Sequence, residues 1–416
     1  MDIETARWLV SEEAAQYIAQ AHEFDDPSSL KAGTILRTEL SADRAAAVAD
    51  LESLRRRGTG KLGEIAHRLF LTHDGLEQAT RFPVAQWRVA RMTGMAEHII
   101  DAGCGLGIDA LAHRMVGMEV TGIEMDPVTA IFAEKNLSTV EGPGYEVRTG
   151  TIEDLLYVPE CDDANPRTAI FLDPARRTSH GRSWNVEDLS PSWEFVLGVL
   201  HRSPGPVVVK LAPGFPRRLL PDDVDVTWVS HRRNLVETTL WSSPGATGKR
   251  EAVVVGNAES HPTEPRPTES RLPAAPHPTE SRLLAGPPPP APGLVGEYIL
   301  EPDPAVIRAG AIGALARMTS THPMAESIAY LTGPEPVPTP FATSFQVLRT
   351  FDFSQKELRA WVRDQHIGVL EIKLRGLDID PAQLRRTLKL KGNQTATIIL
   401  APTLAGVQVF IVQRIL

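Results

Sequence analysis

The feature that most restricts what this chain can fold into is one passage, Ile99-Ile100-Asp101-Ala102-Gly103-Cys104-Gly105-Leu106-Gly107. Two β-branched residues and an acid read as the end of a buried strand. Three alternating glycines read as a turn in which the backbone bends sharply and can approach a ligand with no Cβ in the way. A helix is expected from Ile108. Strand, glycine turn and helix in that order open a doubly wound α/β sheet, which binds small molecules at the carboxyl ends of its strands. Later apolar runs at 120–123, 145–147, 169–172 and 207–211 are short and separated by helical stretches. That pattern predicts parallel strands covered on both faces. Runs at 224–229, 236–241 and 252–255 lack long helices between them and are expected to finish the sheet as antiparallel strands.

A glycine turn alone does not distinguish one ligand from another. A dinucleotide fingerprint needs glycine where Ile108 stands, whereas here Asp101 puts a carboxylate on the strand itself. Such a group repels a pyrophosphate and suits a cationic amino group. Glu124 ends the second strand 23 residues after Asp101, where a ribose-binding acid is expected, with Met125 beside it as a further cofactor contact. Asp154, in Gly150-Thr-Ile-Glu-Asp154 after the third strand, is placed to meet an adenine amino group.

Over residues 97 to about 256 these features resemble the class I S-adenosylmethionine-dependent methyltransferases. The resemblance implies a Rossmann-like sheet in which Gly103, Gly105 and Gly107 pass beneath the methionine part of the cofactor, Glu124 holds its ribose and Asp154 its adenine. Cys104, between two glycines, reads as a small half-buried thiol rather than a nucleophile. Residues 70–80 are expected to cover the cofactor through Gln78 and Thr80, and His73 reads as an exposed helix-start residue.

The fourth strand ends in Asp173-Pro174-Ala175-Arg176-Arg177. In amino-methylating members of the superfamily the corresponding motif is Asp or Asn, two prolines and an aromatic residue. It implies that Asp173 and a following carbonyl accept hydrogen bonds from the target amine and aim its lone pair at the methyl. Here Ala175 and Arg176 replace the second proline and the ring. An Asp-Pro-Pro-Arg variant occurs in RNA uridine C5-methyltransferases, where a separate cysteine attacks the base. The fifth strand, Val209-Lys210-Leu211-Ala212-Pro213-Gly214, ends without one. Direct displacement at nitrogen or oxygen, which needs alignment and a dry pocket, is therefore favoured. Asp173, Pro174 and Arg176 are the expected transfer residues. Arg177, Arg182 and Lys210 are the expected substrate contacts, with pairing to Glu187 and Asp188 as the ordinary alternative for the arginines. No His, Cys, Asp and Glu set has metal-ligand spacing, so no metal is expected.

Residues 1–95 read as a helical region. Ser11 precedes Glu12 and Glu13 as an N-cap should, and Ala45, Val48, Leu51 and Leu54 recur at helical spacing before Arg55, Arg56, Arg57 and Gly58, an expected helix end. A second amphipathic piece spans 82–92. After the methyltransferase core of 96–256, residues 257–296 carry eleven prolines and a six-residue duplication, and are expected to be a solvated linker. Asp303 and Pro304 should open a helix to about Arg317 within a helical connector, 297–344. Residues 345–416 read strand, helix, strand, helix, strand, strand, a small α/β domain with a capping box at Ser354 and Glu357. The layout, with Glu301-Pro-Asp-Pro304 and Leu370-Glu-Ile-Lys-Leu-Arg-Gly376, resembles bacterial methyltransferases that carry a THUMP-like C-terminal domain. It implies an RNA substrate, a tRNA or an rRNA.

Charge bears on that implication. The chain carries a net −9, which disfavours holding a polyanion by bulk charge, yet residues 345–416 carry +5. Arg385, Arg386, Lys389 and Lys391 are therefore the expected RNA contacts. Two cysteines exclude a disulfide framework, the acidic start Met1-Asp2-Ile3-Glu4 is not a secretory signal, and the apolar stretch 398–412 is broken by Pro402, Thr403, Gly406 and Gln408. A cytoplasmic protein with no membrane contact is expected. The sequence thus reads as an S-adenosylmethionine-dependent methyltransferase acting on a base nitrogen of structured RNA. A protein or small-molecule methyltransferase, or an RNA-binding protein that retains cofactor without turnover, is the alternative.

Overall fold

The computed structural model describes residues 1–156, 167–176, 186–243, 245–256 and 278–415. Arg177, Arg182 and residues 257–277 of the expected linker lie outside them. The chain divides into two compact units, one of Met1–Val226, Glu237–Gly248 and Val255–Glu280, the other of Thr227–Val236, Lys249–Val254 and Ser281–Leu416. No helix among the described residues is long and apolar enough to cross a membrane.

The first unit begins with α1 (Ile3–Leu9), α2 (Glu12–His22), α3 (Leu30–Leu36), α4 (Ala42–Leu62), α5 (His73–Gln78) and α6 (Phe82–Met92). Asp2, Ser29, Ser41 and Thr72 cap four of them, each side-chain oxygen accepting from a backbone N–H three residues on. The expected end of α4 at Gly58 is wrong: the helix runs on to Leu62 and stops at Gly63, where φ is +72°. Gly58 is buried within the helix, where a Cβ would make ordinary contact with Ala66 and Leu71 at 3.4 Å. Nor do the arginines act as helix-end cations. Arg55 is buried and donates to the Leu69 carbonyl at 2.9 Å, while Arg56 holds the carbonyls of His22, Phe24 and Asp25.

The strands are β1 (His98–Ala102), β2 (Glu119–Glu124), β3 (Tyr145–Thr149), β4 (Thr168–Leu172), the two-residue β5 (Ala175–Arg176) and β6 (Leu189–Ser190), β7 (Val207–Leu211), β8 (Asp225–His231), β9 (Asn234–Ser242), β10 (Arg250–Val255) and β11 (Glu280–Leu284). Apart from the β5-β6 ladder, they form one sheet in the order β11-β10-β8-β9-β7-β4-β1-β2-β3 among the described residues. Strands β3, β2, β1, β4 and β7 are parallel, and β9 joins β7 antiparallel. Helices α7 (Ile108–Met115), α8 (Pro127–Leu137), α9 (Ile152–Leu155) and α10 (Trp193–Arg202) connect the parallel strands. From β1 the chain winds first to one side and then, from β4, to the other. A crevice therefore opens at the carboxyl ends of β1 and β4, and it is there that such sheets bind ligands.

The expected linker is not wholly a linker. Residues 279–286 contain no proline, so each can donate to a ladder, and Glu280–Leu284 forms the edge strand β11. Its flanks bond the neighbouring strand's ends, Gly256 N to Thr279 O and Ala285 N to Arg250 O, both at 2.8 Å.

In the second unit the expected helical connector is half sheet: β12 (Tyr298–Pro302), α11 (Pro304–Ala309), α12 (Ile312–Met318), β13 (His322–Pro323) and β14 (Leu331–Gly333). The expected single helix is broken at Gly310, whose φ of +75° ends α11. There follow β15 (Ala342–Asp352), α13 (Gln355–Asp364), β16 (Ile367–Leu374), α14 (Pro381–Leu388), β17 (Gln394–Thr403) and β18 (Gly406–Ile415), in the expected order. The sheet runs β13-β14-β12-β15-β18-β17-β16. Because β12 pairs antiparallel with β15, this domain shares its sheet with the segment preceding residue 345. Its helices pack Leu358, Val362, Leu384 and Leu388 onto Ile398, Leu400 and Val409.

Candidate active site at the carboxyl ends of β1, β2 and β4

Where β1 ends, Gly103 and Cys104 donate their N–H groups to the Ile123 carbonyl at 2.9 and 3.0 Å, turning the chain across the end of β2. Gly103, Gly105 and Gly107 have φ of +89°, +54° and +76°, a region that costs other L residues about 1–2 kcal/mol. They differ in what surrounds them. A Cβ on Gly103 would press on the Asp173 carbonyl at 3.2 Å, and one on Gly107 would meet Ala133 at 3.5 Å. At Gly105 it would meet nothing within 4 Å. Backbone packing as well as φ thus demands the first glycine, φ alone the third, and the middle one borders an open cradle.

Glu124 is tied to this turn. Its carboxylate accepts from Gly105 N at 2.9 Å and from Asp126 N at 2.8 Å, and each oxygen keeps a second lone pair for a hydroxyl. Met125 is 68% exposed, an apolar side chain left open beside the cradle. Asp154 is exposed near the start of α9, with Oδ2 accepting from Thr151. Gln78 is exposed at the end of α5. Cys104 is buried, and burial, with Asp101 and Glu124 adding to it, pushes its thiol far up. It is held protonated, as a structural thiol would be. A Cβ on Gly122 would come within 3.0 Å of its sulfur, so glycine in β2 makes room for it.

Asp101 is wholly buried, and neither carboxylate oxygen has a hydrogen-bond partner among the described residues. Burial raises its pKa well above the carboxylate range, and Asp109 and Asp173 raise it further. An unpartnered buried acid is costly in a resting protein and fits a site that awaits a cationic group. With the open cradle at Gly105 and the acid at Glu124, the residues present fit the amino acid and ribose parts of S-adenosylmethionine.

Asp173 follows β4 directly, its N–H on the Ala102 carbonyl at 3.3 Å, and pairs through Oδ2 with Lys210 of β7. Lys210 also donates to Thr80 Oγ1 at 3.0 Å, and Thr80 donates to Asp109 Oδ2 at 2.7 Å. Asp109, in the first turn of α7, pairs with Arg88 of α6, which donates in turn to Glu237 Oε2 of β9 at 2.6 Å. The result is one continuous chain, Asp173–Lys210–Thr80–Asp109–Arg88–Glu237, buried from Thr80 to Glu237 and partly open to solvent at Asp173 and Lys210. Burial opposes the charge on Lys210, but Asp173 and Asp109 outweigh it and raise the pKa. For Asp109 burial is likewise outweighed, by Arg88 and Lys210, and the pKa falls. For Asp173 burial prevails over Lys210, and its pKa rises. Lys61 of α4 donates to the Leu76 and Glu77 carbonyls at 2.8 and 2.5 Å. Burial, with Lys210 and Arg81 nearby, brings it down to about 8.

The structure thus gathers Asp101, Gly103, Gly105, Gly107, Glu124, Asp173 and Lys210 at one sheet end. It turns Thr80 inward, where its hydroxyl links Lys210 to Asp109. Pro174 is half-buried and Arg176 lies in β5, paired with Leu189. Arg385, Arg386, Lys389 and Lys391 belong to the second unit, at the end of α14 and beyond it, and all four are exposed. His73 pairs with Asp50 at 2.7 Å. Sequence reasoning missed Arg88, Asp109, Glu237 and Lys61. Arg88 left a trace: it interrupts the apolar stripe of Val84 and Met92 on α6, the mark of a buried charge that must have partners.

Residues 342–414 match the THUMP domain-like family, and residues 2–58 match a domain of unknown function (DUF8688). The crystal structure of a "putative methyltransferase" from Porphyromonas gingivalis W83 shares the fold at a TM-score of 0.69 and 19% identity, covering 97% of this chain and 98% of that one. Two Mycobacterium tuberculosis proteins, the uncharacterized S-adenosylmethionine-dependent methyltransferases MT3122 (strain CDC 1551 / Oshkosh) and Rv3037c (strain ATCC 25618 / H37Rv), are each 30% identical over 376 residues, 88% of this chain and 94% of theirs. Relatedness over nearly the whole length, on a sheet whose glycine turn and strand-end acids suit that cofactor, makes this chain a member of the S-adenosylmethionine-dependent methyltransferases.

Proposed function

We propose that this enzyme methylates a base nitrogen of structured RNA, a tRNA or an rRNA in the cytoplasm, by direct displacement. The observation that carries the reading is the position of Asp173: its backbone carbonyl abuts the glycine turn, and Lys210 holds its Oδ2. Oδ1 accepts no hydrogen bond among the described residues and is left to take an N–H from the acceptor. Bound S-adenosylmethionine supplies an already activated sulfonium methyl. Asp173 then has only to orient the acceptor's lone pair, with Lys210 keeping the carboxylate in place. Cys104, the one cysteine among the described residues, is held protonated and does not attack a base. RNA as the substrate is supported by the THUMP domain-like match and by the exposed cations Arg385, Arg386, Lys389 and Lys391, in a region of net +5.

Transfer of tritium from methyl-labelled S-adenosylmethionine into cell extract tests the reading. The label is expected to be released by nuclease as a base-methylated nucleoside, and to be lost with Asp173→Ala although that variant still binds cofactor. Label released by protease, or carried on a ribose hydroxyl, would overturn it.

A further inference from the structure

We propose that His22, Glu52 and His67 form a binding site for a divalent transition-metal ion of the zinc class, apart from the methyl-transfer site. One ring nitrogen of each histidine and one carboxylate oxygen of Glu52 lie within 4.8 Å of one another. The residues come from three elements: the last residue of α2, the middle of α4, and the 3-10 turn Gly63–Arg68. Two imidazoles and a carboxylate are the donor set that borderline cations such as Zn²⁺ prefer.

Two observations separate this group from a chance surface cluster. Glu52 is fully buried, and among the described residues its Oε2 has no hydrogen-bond partner, nor does the buried Nδ1 of His67. A buried acceptor without a donor costs about 1–3 kcal/mol, a cost that a bound cation would remove. His22, by contrast, is exposed, and its Nδ1 already stands 2.8 Å from Glu52 Oε1, leaving the solvent side for a water or a fourth ligand. Tetrahedral zinc with bonds of about 2.0–2.1 Å needs ligand atoms roughly 3.4 Å apart, so a set lying within 4.8 Å must contract by at most about 1.4 Å.

The neighbouring guanidiniums support the carboxylate more than they compete for the site. Arg56 Nε lies 3.4 Å from Oε1 and Arg55 Nη1 3.9 Å from Oε2, at the edge of contact. Arg56 is committed to the carbonyls of His22, Phe24 and Asp25, which fixes the backbone that carries His22, and Arg55 to that of Leu69. Outer groups that hold ligand-bearing segments in place are the usual second layer of a metal site. Separations of 30 and 15 residues between the ligands gave no local spacing to detect.

The test uses the full-length protein, stripped with chelator and titrated with Zn²⁺ and with Co²⁺. We expect about one ion per chain, a visible Co²⁺ absorption of four-coordinate intensity, and a thermal midpoint that rises with Zn²⁺. His22→Ala, at an exposed position that leaves the fold intact, should weaken binding at least about tenfold, as should His67→Ala, and both should lose the cobalt band. Cofactor affinity should be unchanged in His22→Ala. No stoichiometric ion in the parent, or equal binding by parent and His22→Ala, would overturn the proposal.

Discussion

Replacing Asp101 by Asn should act in opposite directions on cofactor binding and on the stability of the cofactor-free protein. The acid is fully buried, its oxygens have no hydrogen-bond partners among the described residues, and burial, Asp109 and Asp173 raise its pKa. A raised folded-state pKa means that the folded protein holds this proton more tightly than the unfolded chain does. The associated stability is complete below the ordinary carboxylate pKa and is lost as pH rises through the folded value. Asn has no proton to lose, so the variant should gain on the parent as the pH is raised from 5 to 8. Binding should respond the other way. A charge-assisted hydrogen bond to the cofactor's ammonium group is worth about 1.5–3 kcal/mol, which converts to a dissociation constant roughly 10- to 150-fold weaker in Asp101→Asn. In the parent, a cation that stabilises the ionised acid must expel its proton, so affinity should climb with pH below Asp101's own pKa. Calorimetric titration with S-adenosylmethionine, with urea denaturation at both pH values, measures the two effects. Cofactor affinity within threefold of the parent, together with a stability difference that does not change with pH, would refute the reasoning.

Arg88→Met leaves Asp109 and Glu237 buried without their shared cation and should cost about 3–5 kcal/mol at pH 8 by urea denaturation. The loss should shrink in acid, because Asp109's depressed pKa contributes stability only above its own titration; a loss under 1 kcal/mol would remove the network from the stability account. Gly105→Arg should abolish cofactor binding in calorimetry while costing only about 1–2 kcal/mol of stability, since the space its Cβ enters is open; unchanged affinity would displace the cradle from this turn. Replacing Lys389 and Lys391 together by Ala should flatten the dependence of log affinity for RNA on log salt by about one to two units, equally for all sequences, and an unchanged slope would count against phosphate contact there.

What the sequence determined by itself is local. The glycine turn, the strand-end acids Asp101, Glu124 and Asp173, the alternation of strands with helices and the caps at Ser354 and Asp303 are legible because each is written into a few consecutive residues. A positive φ selects glycine, and an unpaired helix N-terminus selects a short oxygen-bearing side chain. The remainder depends on groups far apart in the chain, which only folding brings together. Strand β11 pairs through its backbone, which leaves no signature in composition, so a proline-rich stretch concealed it. Gly58 reads as a helix end, yet α4 runs on through it, buried, to Leu62. Arg88 meets Glu237 across 149 residues, and His22 meets Glu52 across 30. A buried charge is tolerated only where folding brings its counter-charge, and that pairing is a property of the assembled sheet and helices, not of any window along the chain.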